Sequence, residues 1–437
     1  MKSKFSVALS FLGLIALGAL LLALPPCRVN GEWGDLMSSA FTACSAVCVT
    51  GLTVVDIAET FSVTGQIVLL VLVEVGCLGL MMCGTFLMIA IGRRLSLASE
   101  FSLMNAYGVE QVKGVKSLIL WVIGSMLFFE LMGAAVLYWK LEDVYLSVFY
   151  SVMGFCNAGF SILPGSLAAF ADNPWVVLTL AVETILGSIG FLVIFNLLTF
   201  KFVHRTSGGR GRLSLQSRVV LRFTLYLLAV MLAAFLMLEW NGALSGMEWT
   251  KKLYVGFYQA VTPRTCGFCL VPTEGLKPLT RLLYEVMMFI GGAPGSAAAG
   301  IKVTTFAVLI YTLLALCRGE RETIISRRAV PMDVVRESIV IFMVLSVLIT
   351  LVMGLLLLTE DGRGIPTDAL FFEACSAITT TGLSMGDITP MLSASGRVII
   401  MCAMFAGRLG ALSVVLMIGD REAARHIRYP MEELVVG

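Results

Sequence analysis

The sequence predicts an all-α integral membrane protein. It is expected to be built as four covalently linked helix–pore-loop–helix repeats around one pseudo-fourfold axis. Two observations predict this class. Of 437 residues, 58% are hydrophobic and only 14% charged, whereas soluble domains carry roughly 25% charged residues. In addition, one pattern returns four times at near-constant spacing, anchored on Gly51, Gly159, Gly267 and Gly382, which stand 108, 108 and 115 residues apart.

The spanning elements come first. Mean hydropathy is +0.93, and eight apolar stretches reach the roughly 20 residues that a bilayer span needs. They lie near 5–25, 63–91, 115–138, 174–203, 217–239, 278–316, 334–359 and 394–419. The first follows Lys2 and Lys4 and runs from Phe5 to Pro25. That is longer than the 7–15 apolar residues of a signal peptide, so a membrane helix is expected there. Between the members of each successive pair lies a shorter apolar segment that ends in one of the anchor glycines, as a re-entrant helix and loop would.

The repeat extends beyond the glycines. Ten residues before each stands a phenylalanine (Phe41, Phe149, Phe257, Phe372), and two after it a small residue (Thr53, Ser161, Cys269, Ser384). Downstream, each following apolar stretch carries a Gly-x-x-Gly: Gly76/Gly79, Gly187/Gly190, Gly292/Gly295 and Gly407/Gly410. The units are expected at 1–95, 96–205, 206–325 and 326–419, with a tail at 420–437.

Charge sets the orientation. The N-terminus, the linkers between repeats and the tail hold 20 of the 31 Lys and Arg residues, among them Arg93, Arg94, Arg210, Arg327, Arg421 and Arg428; the opposite face holds eight. The positive-inside rule then places both termini and the linkers in the cytoplasm of an inner-membrane protein, and the loops open outward. The basic linker 201–222 is most simply a determinant of orientation, with lipid or partner contact as the alternative.

Eleven cysteines scattered through apolar segments form no disulfide framework. One Cys-x-x-Cys, Cys266 to Cys269, has no second pair, and His204 and His426 are distant in sequence, which disfavours zinc. No nucleophile, nucleotide or metal-ligand motif supports an enzyme, and no cofactor, nucleic-acid or covalent-group site is expected.

The loops themselves are Val49-Thr50-Gly51, Asn157-Ala158-Gly159, Thr265-Cys266-Gly267 and Thr380-Thr381-Gly382. None holds a carboxylate, so backbone carbonyl oxygen is the available ligand. Four loops on one axis would supply rings of four carbonyls, suited to a dehydrated monovalent cation. Glycine supplies the backbone angles this needs. The plainer alternative is that the glycines only terminate interfacial helices.

The sixth stretch contains Gly291-Gly292-Ala293-Pro294-Gly295-Ser296-Ala297-Ala298-Ala299-Gly300. Proline costs a helix interior about 3 kcal/mol and each glycine about 1, so two half-helices joined at mid-membrane are expected, as in transport pathways. Close helix packing is the alternative there, and the expected role of the other three glycine pairs. Arg408 stands inside the fourth pair, where a cation is costly. It is either a barrier on the permeation path or the partner of a buried acid such as Glu74, Glu183 or Glu285. Arg264 is expected behind the third loop, paired with Glu373 or Glu130. Lys302 either holds the broken segment or snorkels to the interface. The loop cysteines pack as small residues, with the Cys266 thiol expected beside the pore.

The loop motifs carry a resemblance. Val49-Thr50-Gly51-Leu52-Thr53, Cys156-Asn157-Ala158-Gly159-Phe160, Arg264-Thr265-x-Gly267-Phe268 and Thr379-Thr380-Thr381-Gly382-Leu383, with the broken sixth helix, resemble the Trk/Ktr/HKT superfamily over essentially the whole chain. The ending Arg428-Tyr429-Pro430 and the lack of an extra N-terminal helix pair are similar to its KtrB-type subunits. The resemblance implies potassium uptake, with K+ the substrate ion at the four loops as a selectivity filter and Na+ as an activating ion. It also implies an intramembrane gate at 291–300 with Lys302 and Arg408, a homodimer, and a cytosolic ring of KtrA-like nucleotide-binding subunits. With one glycine per loop, weaker discrimination against sodium is expected. A cation-coupled secondary transporter of another ion or a small solute remains the alternative, although inverted repeats would place loops on both faces.

Overall fold

The computed structural model describes residues 2–79, 115–163, 165–206, 213–386 and 388–410. Each of the four repeats contains an outer helix, a short re-entrant helix and an inner helix. In repeat 1 these are Lys2–Ala23, Leu36–Val47 and Val63–Leu78; in repeat 2, Val115–Leu141, Val144–Cys156 and Pro174–Ile189. In repeat 3 they are Leu215–Glu239, Trp249–Val261 and Pro278–Phe289; in repeat 4, Met332–Thr359, Thr367–Ile378 and Ala394–Leu409. The only strands among the described residues, Ile324–Ile325 and Arg328–Ala329, form a hairpin between repeats 3 and 4. Its turn residues Ser326 and Arg327 both have positive φ (51° and 64°), which matches the twist of a two-residue hairpin.

Local sequence explains where the helices start. Asp35 accepts a hydrogen bond from the Ser38 amide (2.9 Å) and Asp143 from that of Leu146 (3.0 Å), capping the first two re-entrant helices. Glu248 precedes the third and Asp368 lies in the first turn of the fourth. All four therefore begin beside a carboxylate, which favours the positive end of the helix dipole and leaves the negative ends at the loops. Ser62, Asn173 and Ser393 cap the inner helices of repeats 1, 2 and 4.

The core is apolar, and so is much of the outer surface. Ile119–Leu141 leaves Leu120, Leu127, Phe128 and Leu131 exposed, and Met332–Thr359 exposes Met343, Val347, Leu351 and Leu358. Polar residues such as Ser39, Thr42, Ser151, Gln259 and Ser376 lie in the interior. Lipid is the environment in which that distribution is stable. The repeat phenylalanines Phe41, Phe149 and Phe372 are fully buried, while Phe257 is half-buried.

The stretches near 5–25, 115–138, 217–239 and 334–359 form continuous helices, whereas those starting near 63, 174 and 394 are interrupted. Three described helices are long and apolar enough to cross unbroken: Ile119–Leu141, Leu215–Glu239 and Met332–Thr359. The inner helices run 12 to 16 residues before they break, short of the roughly 20 that a span needs. In repeats 1, 2 and 4 they stop at the second glycine of the Gly-x-x-Gly, where Gly79, Gly190 and Gly410 take φ of 77°, 91° and 82°. These angles are cheap only for glycine and end the helix. Across Gly190 the chain turns by 97° into the helix Phe191–Thr206. In repeat 3 the break is longer and runs from Ile290 to Lys302, before the helix Val303–Cys317. The expected boundary at 95/96, the tail 420–437 and the basic residues Arg93, Arg94, Arg210, Arg421 and Arg428 lie outside the described residues.

Candidate functional site

The four glycine loops meet. A β-carbon placed on Gly51 would overlap the Ala158 carbonyl and come 3.1 Å from the α-carbon of Gly159. On Gly159 it would lie 2.8 Å from the Cys266 oxygen and 3.0 Å from the Gly267 α-carbon. On Gly267 it would lie 2.6 Å from the Thr381 oxygen and 3.2 Å from the Gly382 α-carbon. On Gly382 it would overlap the Thr50 carbonyl, 3.2 Å from the Gly51 α-carbon. Each glycine faces the next repeat in one cyclic direction, and the fourth closes on the first.

The backbone that makes this ring alternates in hand. The glycines take φ of 96°, 66°, 82° and 85°. Two residues earlier, Val49, Asn157, Thr265 and Thr380 are also left-handed, at 56°, 59°, 69° and 49°. For β-branched valine and threonine this is a costly conformation, found where the surroundings over-determine it. Those surroundings are visible. The Thr50 and Thr381 amides donate back to Ser45 and Ser376 carbonyls (2.8 Å each), and Ala158 to Met153 (3.0 Å). The Gly51 amide donates to Ser45 Oγ (3.0 Å), the Asn157 amide group contacts the Ser188 hydroxyl at 2.8 Å, and Thr262 Oγ1 donates to the Phe268 carbonyl. The carbonyl oxygens from Val49 to Gly51, Asn157 to Gly159, Thr265 to Gly267 and Thr380 to Gly382 receive no hydrogen bond from any described residue. Buried carbonyls are normally paired, and these are left to a ligand on the axis.

On one side of the ring lies a cavity of about 350 Å³. All four glycines line it, together with the small residues two positions later, Thr53, Ser161, Cys269 and Ser384. The sequence repeat is thus a fourfold lining.

The break in the third inner helix lies against the second. The Ala293 amide donates to the Ser188 carbonyl (2.9 Å), Ala297 to Gly187 (3.2 Å), and Phe191 to the Gly295 carbonyl (3.0 Å). Lys302 Nζ donates to the Ala298 carbonyl at 2.5 Å, so it holds the segment and does not snorkel. Ser296 Oγ donates to the Ala293 carbonyl, closing the turn through Pro294 and Gly295 (2.6 Å). Gly291 and Gly292 form one arm and Gly300, at φ 70°, the other.

Arg408 reaches three backbone carbonyls: Ala297 on the break, and Gly76 and Cys77 at the end of the first inner helix. No ion pair joins it to Glu74, Glu183 or Glu285 among the described residues. The guanidinium thus binds backbone carbonyls of the helix end and of the break in place of a carboxylate. The expected pairing of Arg264 with Glu373 or Glu130 is likewise absent. Arg264 donates to the Gly291 carbonyl (3.3 Å), Glu373 accepts from Ser384 Oγ (2.8 Å) and Thr389 Oγ1, and Glu130 accepts from the Cys156 thiol (3.7 Å). The Cys266 thiol does not stand beside the axis. It is buried behind the ring, against Thr184 Oγ1 (3.2 Å) and the Tyr258 hydroxyl (3.6 Å).

The first glycine of the pair does serve packing in three repeats. Gly76, Gly187 and Gly407 sit against the Val47, Phe155 and Ile378 carbonyls, where a β-carbon would overlap. The left-handed residues ahead of each glycine, and the bracing by Ser45, Thr184, Ser188 and Thr262, have no clear signature in the sequence. The threonines before Gly267 and Gly382 were a partial signal.

The chain matches the family model of TrkH, a cation transport protein, over residues 17–423. It is 32% identical to the Ktr system potassium uptake protein B of Bacillus subtilis, over 99% of this chain and 96% of that protein. With the potassium/sodium uptake protein NtpJ of Enterococcus hirae the identity is 31%, over 99% and 96%. The crystal structure of the potassium transporter TrkH from Vibrio parahaemolyticus superposes with a TM-score of 0.78. It covers 96% of this chain and 85% of that one at 16% identity.

Proposed function

The chain belongs to the TrkH family of cation transport proteins, on its KtrB-type branch, and from that premise we propose that it carries potassium into the cell through the ring of four loops. The observation that carries this reading is the closed ring of carbonyls that no donor among the described residues reaches. Oxygen dipoles of this kind replace the hydration shell of a large monovalent cation without offering a fixed negative charge that would hold it too tightly. The dipoles of the re-entrant helices, negative ends inward, add attraction for a cation.

In this reading Val49–Gly51, Asn157–Gly159, Thr265–Gly267 and Thr380–Gly382 form the selectivity filter, and the cavity beyond it opens outward. The segment Gly291–Gly300 is the gate, secured by Lys302 and Arg408. Its contacts with repeats 2 and 4, and through Arg408 with repeat 1, favour gating over simple packing, since a loop that only filled space would not need two cations to hold it. The repeats divide near 95, 205 and 325, and both termini lie in the cytoplasm. The name of the Bacillus relative, protein B of a Ktr system, supports a partner subunit; a homodimer and a cytosolic nucleotide-binding ring are what the family resemblance adds to this reading. The name of the Enterococcus relative supports a role for sodium beside potassium.

Potassium flux into liposomes holding the purified protein tests the assignment. Wild-type protein conducts potassium, and Gly267→Ser abolishes conduction while the protein stays monodisperse. Equal flux in the two proteins would remove the ring from the pathway.

A further inference from the structure

We propose that Arg264 is a positioning residue that couples the gate to the filter, by tying the neck of the broken third inner helix to the third filter loop. Arg264 stands three residues before Gly267 and is 1% exposed. Its amide donates to the Val261 carbonyl (3.0 Å), which extends the last turn of the re-entrant helix. Its guanidinium donates through Nη2 to the carbonyl of Gly291, and its Nε finds no acceptor among the described residues. A buried cation without a counter-charge is expensive, so a residue retained there needs a reason beyond filling space.

What it holds is the stem of the gate. The Ile301 amide donates to the Phe289 carbonyl and the Val303 amide to that of Gly292, both at 3.0 Å. A β-carbon on Gly291 would overlap the Ala299 carbonyl, with the Gly300 α-carbon 3.4 Å away. The two arms of the loop therefore touch at the point where Arg264 attaches. Moving the loop aside opens that stem and draws on the guanidinium. Three residues along the same chain, a β-carbon on Gly267 would lie 3.2 Å from the α-carbons of both Gly159 and Gly382, so Gly267 is packed into the ring and a pull on Arg264 reaches it. The corresponding positions in the other loops are Cys48, Cys156 and Thr379, none of them charged. Repeat 2, also described across its break, turns at Gly190 alone. The charge stands in the repeat that has a long loop for it to hold.

The inference rests on reading 291–300 as a gate, and the test separates the two. Potassium and sodium fluxes are measured in liposomes for wild type, Arg264→Gln, a protein lacking 294–300, and the combination. A hydrogen bond to a charged group is worth enough to predict that Arg264→Gln raises resting potassium flux about tenfold and changes the potassium-to-sodium ratio. Once the loop is shortened there is nothing left to tie, and the same substitution changes flux less than about twofold. Equal fold-changes in the two backgrounds, or no change in either, overturn the coupling while the gating reading stands. Unchanged flux in the shortened protein alone overturns the gating reading and this one with it. If Arg264→Gln is not monodisperse, Arg264→Lys is read in the same cycle by the same criteria, since it keeps the charge and loses the fork that reaches Gly291.

Discussion

Arg408→Gln is the perturbation with the clearest consequence for the gate. The guanidinium bridges three places: Nη1 donates to the Ala297 carbonyl on the gate, while Nη2 donates to Gly76 and Cys77 at the end of the first inner helix. Only the Ala297 contact is broken when the gate moves, so it alone enters the closed-to-open equilibrium. Hydrogen bonds to charged groups contribute about 1.5–3 kcal/mol, and neutral ones about 0.5–1.5. Glutamine is shorter and uncharged, and it keeps at most one neutral bond. The closed state then loses about 1–2 kcal/mol, a factor of roughly 5–30 in the gating equilibrium. Potassium flux in liposomes, normalised to monodisperse protein, should rise by that factor. Arg408→Lys separates the two ways the residue can act. If charge on the path is the barrier, lysine keeps flux low; if the bridge is the barrier, lysine raises flux nearly as far as glutamine. The contacts favour the bridge. Unchanged flux in well-folded Arg408→Gln protein would refute the reasoning.

Three further outcomes follow from the same contacts. Removing residues 294–300 deletes the Phe191–Gly295 and Arg408–Ala297 contacts together, and should raise flux beyond Arg408→Gln; unchanged flux would leave the loop with a packing role only. Gly190→Ala places a β-carbon 2.8 Å from the Pro294 carbonyl at φ 91°. Left-handed backbone alone costs about 1–2 kcal/mol, so thermal unfolding in detergent should shift to lower temperature, and an unshifted transition would mean that the break does not need glycine. Asp35→Ala removes the cap of the first re-entrant helix, at a cost of about 1 kcal/mol. The Ser38 amide holds the Asp35 carboxyl below its ordinary pKa, so that stabilisation is present above the unfolded-state value and is lost as pH falls through the lower folded one. The stability gap between wild type and variant should close below about pH 4, and a gap constant with pH would assign the effect to something other than the carboxylate.

Much of the architecture is legible in the sequence, because a fourfold repeat multiplies weak signals. One glycine after an apolar segment says little, but Gly51, Gly159, Gly267 and Gly382 with their phenylalanines and their small residues two positions on specify a ring and its lining. The break at 291–300 is equally plain, since no helix continues through Gly-Gly-Ala-Pro-Gly. The partners of the arginines are not legible. Charge pairing can be guessed from a list of acids, whereas Ala297, Gly76, Cys77 and Gly291 accept through backbone carbonyls that any residue carries. Gly76 and Cys77 stand where the first inner helix ends early, and Ala297 and Gly291 lie on the break in the third. Hydropathy could not reveal that, because a half-helix followed by a turn is as apolar as a full span. Val49 and Thr380 at positive φ illustrate the same limit, since residue preference argues against the conformation that the ring imposes.

Anomalous scattering from rubidium, which substitutes for potassium, tests the central claim most directly. The account predicts density on the axis of the ring, within about 3 Å of the Thr50, Ala158, Cys266 and Thr381 carbonyls, the distance at which carbonyl oxygens replace a hydration shell. Glu74, Glu130 and Cys156 bring their ligand atoms within 4.8 Å of one another and offer the alternative location. Density there with none on the axis, in protein that conducts potassium, would contradict it.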